Sequence, residues 1–394
     1  MSERSKDTCS ACGTAPINHY LALGLSVFDE LQNRVDGALK YSVSNSWLQK
    51  GAILLEKGMF RLAYILGIAT FNKTDLEKAS IGRSKIIWEE AVRRNIPMEQ
   101  VLMFGKPTDY FRAFIDGKYY YFNSLPIPPW LPQEGYRWVD DKLRLADVLI
   151  SAGVPAPRTM NVKTLNEAKK AFEELQKPLI IKPKFGSRGR HTTTNINTME
   201  ELEEAYKLAK QIAVSFVVQE HLVGSVYRAT VISGKLVGFY RADQPQITGN
   251  GTNTVSELIE EKNKTRRARV SEVLINEDLQ NFIGRSGYRL ESVLPKEEVL
   301  SLSAKTGRMY GSYTKEMFTE VHPKMHGIFE RAGKVCDAPV LGFDLIIGDA
   351  TVDPDTQRWG VIECNSLPFI DLHLMALEGT PIDLSKNVWD LWKK

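Results

Sequence analysis

WGVIECNSLPFIDLHL, Trp359 to Leu374, sets two polar residues at the end of a run that has no packing need for them. Gly360 to Cys364 reads as a buried strand, yet it carries Glu363, with Asn365 two residues on. Side chains alternate faces along a strand, so Glu363 and Asn365 project from one side. A carboxylate beside an amide oxygen is a pair of hard oxygen donors of the kind Mg2+ accepts. The same residues also suit a strand end where Asn365 begins the loop and Glu363 meets a lysine, and the stretch alone leaves both readings open.

The surrounding chain bounds the choice. With 394 residues of ordinary composition, two to three folded units are expected, enough for a sizeable core. A formal charge of +3 is near balance and points to neither nucleic acid nor an anionic membrane. MSERSKD opens with charges and lacks an apolar segment, so no secretory signal is expected. GAILLEKGMFRLAYILGIATF, interrupted by Glu56, Lys57 and Arg61, is too charged to span a bilayer and reads as a core helix. Four cysteines fit a reduced, cytoplasmic protein. Cys9 and Cys12 form a CxxC with His19 following, but no second pair stands nearby to complete a tetrahedral zinc site.

A Pro-rich connector, SLPIPPWLPQEG (Ser124 to Gly135), divides the chain. Ahead of it, KIIWEEAVRRN reads as an amphipathic helix and YFRAFIDGKYYYF as a hairpin turning at Asp116-Gly117, giving a mixed α/β unit over residues 1–135. Beyond it, helix and strand signals alternate. DDKLRLADVLISAG and TLNEAKKAFEELQ read as helices, PLIIKP and SFVVQEHL as strands, and TMEELEEAYKLAKQIA as a helix opened by the capping box Thr198 and Glu201. VYRATVI and KLVGFYRA make an antiparallel pair around Ser233-Gly234.

In LIIKPKFGSRGRHTTTN, Lys182 ends a strand and a cationic glycine loop follows. Glycines let backbone N–H groups close on phosphate oxygens while the lysine adds a point charge, although such a loop is also common surface structure. Neither a GxxxxGK[ST] P-loop nor a GxGxxG after a strand occurs.

The order Lys142, Lys182 with its loop, VVQEHL, GFDLI, then ECN resembles the ATP-grasp superfamily from about Asp140 onward. Within it the sequence most resembles the ATP-grasp domain of cyanophycin synthetase, and next the fused glutathione synthetases. IIKPKFGSRGR, VYRATVISGKLVGFYRADQPQITGNGTNTVSELIEEKN, VLPKEEV, EVHP, GFDLI and VIECNSLPFIDLHL carry the likeness. It implies an α/β (α+β) fold in which a central lobe (136–219) and a C-terminal lobe (220–394) clasp a nucleotide. It implies that Lys142 and Lys182 hold phosphates under the loop Gly186, Ser187, Arg188 and Gly189, and that Gln219, Glu220 and Leu222 form the hinge against adenine. Asp344, Glu363 and Asn365 would bind Mg2+, with Mn2+ as the alternative, on the adjacent strands that GFDLI and VIECN form. Arg228 and Arg241, on the two arms of one hairpin, would meet a substrate carboxylate or the reacting phosphoryl group, as a planar fork should.

The chain departs from the family at three places. Val226 stands where the family has an acidic residue before Tyr-Arg, a ribose contact, His191 stands at the third loop glycine, and on the acceptor side SLSAKTGRMYGS replaces a basic pair and a Ser/Thr-Gly-Gly turn. Lys305, Arg308, Tyr310 and Ser312, with His373, are therefore the candidate substrate contacts. The second catalytic domain of cyanophycin synthetase is not expected. The resemblance implies an ATP-dependent carboxylate–amine ligase that forms an amide through an acyl phosphate, acting on amino acids or a short peptide. A phosphotransferase, or a nucleotide-binding partner protein with a decayed acceptor site, are the alternatives. No nucleic-acid or membrane partner is expected, and self-association is left open.

Overall fold

The computed structural model describes residues 18–20, 22–24, 26–27, 64–79, 81–132, 134–183, 191–284, 286–303 and 305–393. Cys9, Cys12 and the loop residues Gly186, Ser187, Arg188 and Gly189 lie outside them, as does most of the apolar stretch from Gly51. The end of that stretch is not helical: Ala69 to Phe71 belong to a strand.

Four antiparallel strands, β1 (Ala69–Asn72), β2 (Met98–Met103), β3 (Lys106–Ile115) and β4 (Lys118–Asn123), form the first sheet in chain order. Asp116 and Gly117 turn β3 into β4 with φ of 49° and 77°, the left-handed pair that a tight hairpin requires. Helix α1 (Gly82–Arg93) buries Ile86, Ile87, Trp88 and Ala91 against this sheet.

After the connector comes α2 (Lys142–Ser151), capped by the Asp141 carboxylate. A second sheet follows, built from β5 (Thr159–Val162), β6 (Leu179–Pro183), β7 (Thr193–Ile196) and β8 (Phe216–Glu220) in the order β5-β8-β6-β7. Helices α3 (Leu165–Glu174) and α4 (Met199–Ala209) cover one side, and each opens with a reciprocal capping box, Thr164 with Glu167 and Thr198 with Glu201.

The third sheet begins with the hairpin β9 (Ser225–Ile232) and β10 (Lys235–Ala242). A small unit then intervenes: β11 (Gln246–Thr248), α5 (Val255–Lys264), α6 (Glu277–Gly284) and β12 (Val299–Ser301), with its own core around Val255, Ile259, Ile283 and Leu294. The chain returns as β13 (Thr314–Glu316), α7 (Lys324–Cys336), β14 (Val340–Ile347) and β15 (Gly360–Asn365), completing a sheet of order β13-β10-β9-β14-β15. Short α8 (Asp371–Leu374) and α9 (Ser385–Asp390) end the fold.

Packing moves two boundaries expected from sequence. Val139, Leu145, Leu149 and Val154 pack with α7 and the third sheet, so the segment carrying α2 joins the C-terminal lobe rather than the central one. Helix α9 leaves that lobe: Trp389 packs with Trp88 and Phe122, its Nε1 donates to the Ile87 carbonyl at 2.9 Å, and Asp390 pairs with Arg94 at 2.7 Å. Both joins link residues distant in sequence, so neither leaves a local signal.

Candidate functional site

Antiparallel register decides which side chains meet. Asp344 on β14 lies opposite Glu363 on β15 and opposite Arg228 on β9, and Arg228 lies opposite Tyr240 on β10. Paired residues share a face, so Glu363, Asp344, Arg228 and Tyr240 form one row across four strands. Asn365, two residues beyond Glu363, joins it with Nδ2 3.3 Å from Asp344 Oδ2. The other face of this sheet carries Tyr227, Ala229, Phe343 and Leu345 into the core beneath α7.

Arg228 grips Asp344 in a two-pronged pair, Nε to Oδ1 at 2.6 Å and Nη2 to Oδ2 at 2.9 Å. Burial works against its charge, and Asp344 more than offsets that. The remaining nitrogen, Nη1, is buried without a partner among the described residues. It lies over Gly342, where a Cβ would stand 2.7 Å from Nη1 and 2.6 Å from Pro368 Cβ. Sequence reasoning passed over Gly342, although a glycine inside a strand signals a close approach of this kind. Gly342→Ala is expected to displace Arg228 or the Pro368 loop, at a cost of about 1–3 kcal/mol. Thermal unfolding checks it, and an unchanged melting temperature would show that the contact yields freely.

Two lysines reach the row from other elements. Lys142, in the first turn of α2, brings Nζ to 3.4 Å from Glu363 Oε2. Lys182 comes from β6 in the second sheet and donates to Gln219 Oε1 at 2.9 Å. Burial pushes its pKa down to about 8, with repulsion from Lys142 acting the same way and Glu363 opposing. Charge coupling among Lys182, Lys142 and Glu363 places the end of β6 against the carboxylate row, so the site lies where the second and third sheets meet.

Not every candidate joins it. Gln219 is buried, its amide held between Lys182 and Thr159 Oγ1. The Glu220 carboxylate accepts from the Gln176 and Arg158 backbones, and Leu222 is buried. Arg241 lies opposite Tyr227, one residue out of phase with Arg228, so it projects from the other face and pairs with Asp243 at 2.9 Å. The expectation that both hairpin arginines serve one site therefore fails for Arg241. His373 fails as a substrate contact for a different reason. It is wholly buried, with Nδ1 2.5 Å from Glu316 Oε2 and Nε2 2.7 Å from Thr230 Oγ1.

The divergent segment splits. Ser312 is buried and donates to the Asp243 carbonyl, which removes it from the surface. Lys305 is exposed and lies 5.2 Å from the centre of the Tyr310 ring. Arg308 stands within electrostatic reach of Tyr240 and Asp371, on the side of the sheet that bears the row. Val226, opposite Ile346, shares the face of Arg228 and presents an apolar side chain there. His191 adopts a positive φ of 48°, a conformation glycine takes without strain, and its Nδ1 meets the Leu208 carbonyl at 2.7 Å.

Residues 139–290 match the ATP-grasp domain family. Cyanophycin synthetase of Synechocystis sp. is 29% identical over 260 residues, which are 64% of this chain and 30% of that protein. The glutathione biosynthesis bifunctional protein of Clostridium perfringens is 23% identical over 262 residues, 64% of this chain and 34% of that one. Among solved structures, the bifunctional glutathione synthetase from Pasteurella multocida superposes with a TM-score of 0.55 at 21% identity, covering 78% of this chain and 43% of that chain, a likeness of fold. The chain thus spans about a third of the length of these curated relatives.

Proposed function

From the ATP-grasp domain that this chain carries over residues 139–290, we propose that the protein is an ATP-dependent carboxylate–amine ligase acting on amino acids or a short peptide. The observation that supports it most is the meeting of Lys142 and Lys182 with the Glu363, Asp344 and Arg228 row, contributed by three separate parts of the fold.

The donor set of Asp344, Glu363 and Asn365, all oxygens on one sheet face, fits Mg2+ or Mn2+, and these residues would hold it. A metal bound there supplies neutralising charge to the phosphates. Lys142 and Lys182 bind and orient the same phosphates, while Arg228 fixes the Asp344 carboxylate. A substrate carboxylate oxygen attacks the γ-phosphorus, ADP leaves, and the amine then displaces phosphate from the acyl carbon, losing its proton as the amide forms. No covalent enzyme nucleophile is required, and Cys364, fully buried, packs in the core. No helix of the described residues is long and apolar enough to cross a membrane, and a cytoplasmic location belongs to this proposal.

ADP release measured over panels of acids and amines tests the reading. Turnover that requires both supports a ligase, turnover without amine supports a phosphotransferase, and no turnover with any pair removes the enzyme reading.

Lys182 adds a pH signature. It is charged below about pH 8 and neutral above, whereas an unfolded lysine holds its proton to its ordinary 10.5. The unfolded chain therefore binds more protons between those values, and the cost of burying the ammonium is relieved as pH rises through that window. Phosphate favours the charged form. Nucleotide affinity should accordingly be full below pH 8 and fall above it by up to about tenfold per pH unit, with the slope lost in Lys182→Met. Titration of ATP from pH 7 to 9.5 checks this, and a flat wild-type profile would separate Lys182 from the phosphates.

A further inference from the structure

The sheet face that bears the Glu363, Asp344 and Arg228 row is covered one row further along. There Asn365, Gly342, Thr230 and Gly238 lie opposite one another on β15, β14, β9 and β10. Each stands two residues from a member of the first row, so all four share its face. The two glycines leave room for the chain that follows Asn365, which folds back over them. Pro368 packs against Gly342 beside Arg228, and the His373 ring packs against Gly238. Beyond this row Ile232 and Val340 join Ile370, Ile87 and Trp88 in one core. The N-terminal unit therefore packs on the same face as the site, with the chain after Asn365 between its helix α1 and the sheet.

Arg83, in the first turn of α1, links these layers. It is buried, its Nη1 donates to the Leu367 carbonyl, its Nη2 lies 3.3 Å from Asp109 Oδ2, and its guanidinium is 4.7 Å from the centre of the Phe369 ring. Asp109, on β3, also accepts from the Ser84 and Ser124 hydroxyls, which anchors the arginine in the N-terminal unit. Next to it, Gly82 lies so close to Asp371 that a Cβ would strike the carboxylate. At the start of the loop, Ser366 Oγ donates to Asp140 Oδ2 at 2.9 Å, just ahead of the α2 that carries Lys142. Charged side chains from two distant parts of the chain thus hold one loop, and that loop runs from the candidate metal donor Asn365 to the proline beside Arg228. We propose that Arg83 is a positioning residue, through which the N-terminal unit fixes the loop after Asn365 and with it the placement of Asn365 and Arg228. This rests on the ligase reading for the reaction it serves. A planar fork is required because it spans two acceptors, the Leu367 carbonyl and Asp109, beside an aromatic ring. Lys142 and Lys182 reach the site from α2 and β6 rather than through α1, so the phosphate side is independent of this clamp.

The test compares wild type, Arg83→Ala, Arg83→Lys and Arg94→Ala as full chains. Arg94 stands just past the other end of α1 and pairs with Asp390, so its loss loosens the same join without touching the loop. Hydrogen exchange of peptides that cover Ser366 to Ile370 is followed by mass spectrometry. Exchange there should rise about tenfold in Arg83→Ala and stay at the wild-type level in Arg94→Ala. In ADP release with a productive acid and amine, Arg83→Ala should lower kcat about tenfold to a hundredfold and leave the KM for ATP unchanged. Arg83→Lys reaches only one of the two acceptors, so it should restore little kcat, and it carries the test if the alanine variant does not fold. Unchanged exchange in both Arg83 variants, a wild-type kcat in a variant whose loop is loosened, or an equal loss of kcat in Arg94→Ala overturns the proposal. A loosened loop with no wild-type turnover on any pair would remove the ligase reading and leave the clamp standing. Wild-type turnover with equal exchange in all four chains would do the reverse.

Discussion

Glu363→Gln is expected to lower ADP release by about a hundredfold to a thousandfold with little change in melting temperature, whereas Asp344→Asn should lose both activity and stability. Both carboxylates are candidate metal donors on one sheet face, but their surroundings differ. Glu363 is 40% exposed, and its ion pair among the described residues is with Lys142, at 3.4 Å. Exposed pairs of this kind contribute about 0–1 kcal/mol, so neutralising Glu363 removes charge from the site without loosening the fold. Asp344 instead balances Arg228, whose side chain is 12% exposed and held by two short bonds. Breaking a buried pair from one side costs about 3–5 kcal/mol because it strands the other charge, and the amide oxygen of Asn recovers only part of this. Melting temperature and ADP release measured on both variants separate the roles. Near wild-type turnover in Glu363→Gln would remove it from the metal site, and equal melting temperatures would show that Arg228 does not depend on Asp344.

That contrast marks what the sequence could carry. The alternation of Glu363 and Asn365, and the adjacency of GFDLI to VIECN, were legible because both depend only on local period and on the pairing of neighbouring strands. The hairpin at Asp116-Gly117 and the capping box at Thr198 were legible for the same reason: their geometry is fixed within a few residues. Arg241 was not. Ile232 pairs with Lys235, and continued regularly that register would place Phe239 opposite Arg228 and Arg241 on the same face. A bulge between Leu236 and Gly238 inserts one residue and inverts the parity, so Tyr240 takes the place opposite Arg228 and Arg241 turns away. Gly238 within a strand was the available clue. A Cβ there would stand 2.6 Å from the His373 ring, a contact no local pattern discloses.

The same contact drives the second large effect, the loss of about 3–5 kcal/mol expected for His373→Ala. The Glu316 carboxylate is 2% exposed, and its Oε1 accepts from the Phe239 and Phe318 backbones at 3.0 Å each. Its second oxygen has His373 Nδ1 at 2.5 Å, while Nε2 faces the Thr230 hydroxyl at 2.7 Å. Facing a carboxylate, Nδ1 donates to it, and Nε2 lies against the Thr230 hydroxyl. Removing the imidazole deprives a buried carboxylate of a charge-assisted donor and opens a void against Gly238, so two costs add. Gly238 and Thr230 belong to the paired strands β10 and β9, whose register places Arg228, so the damage should reach the site through disorder of the sheet rather than through a lost substrate contact. Denaturant unfolding should therefore show a large loss, and the fraction that remains folded should keep the wild-type KM for ATP and for the acid. The opposite pattern, normal stability with a raised KM for one substrate alone, would return His373 to the substrate pocket and imply that the loop from Ser366 to Ile370 opens to expose it.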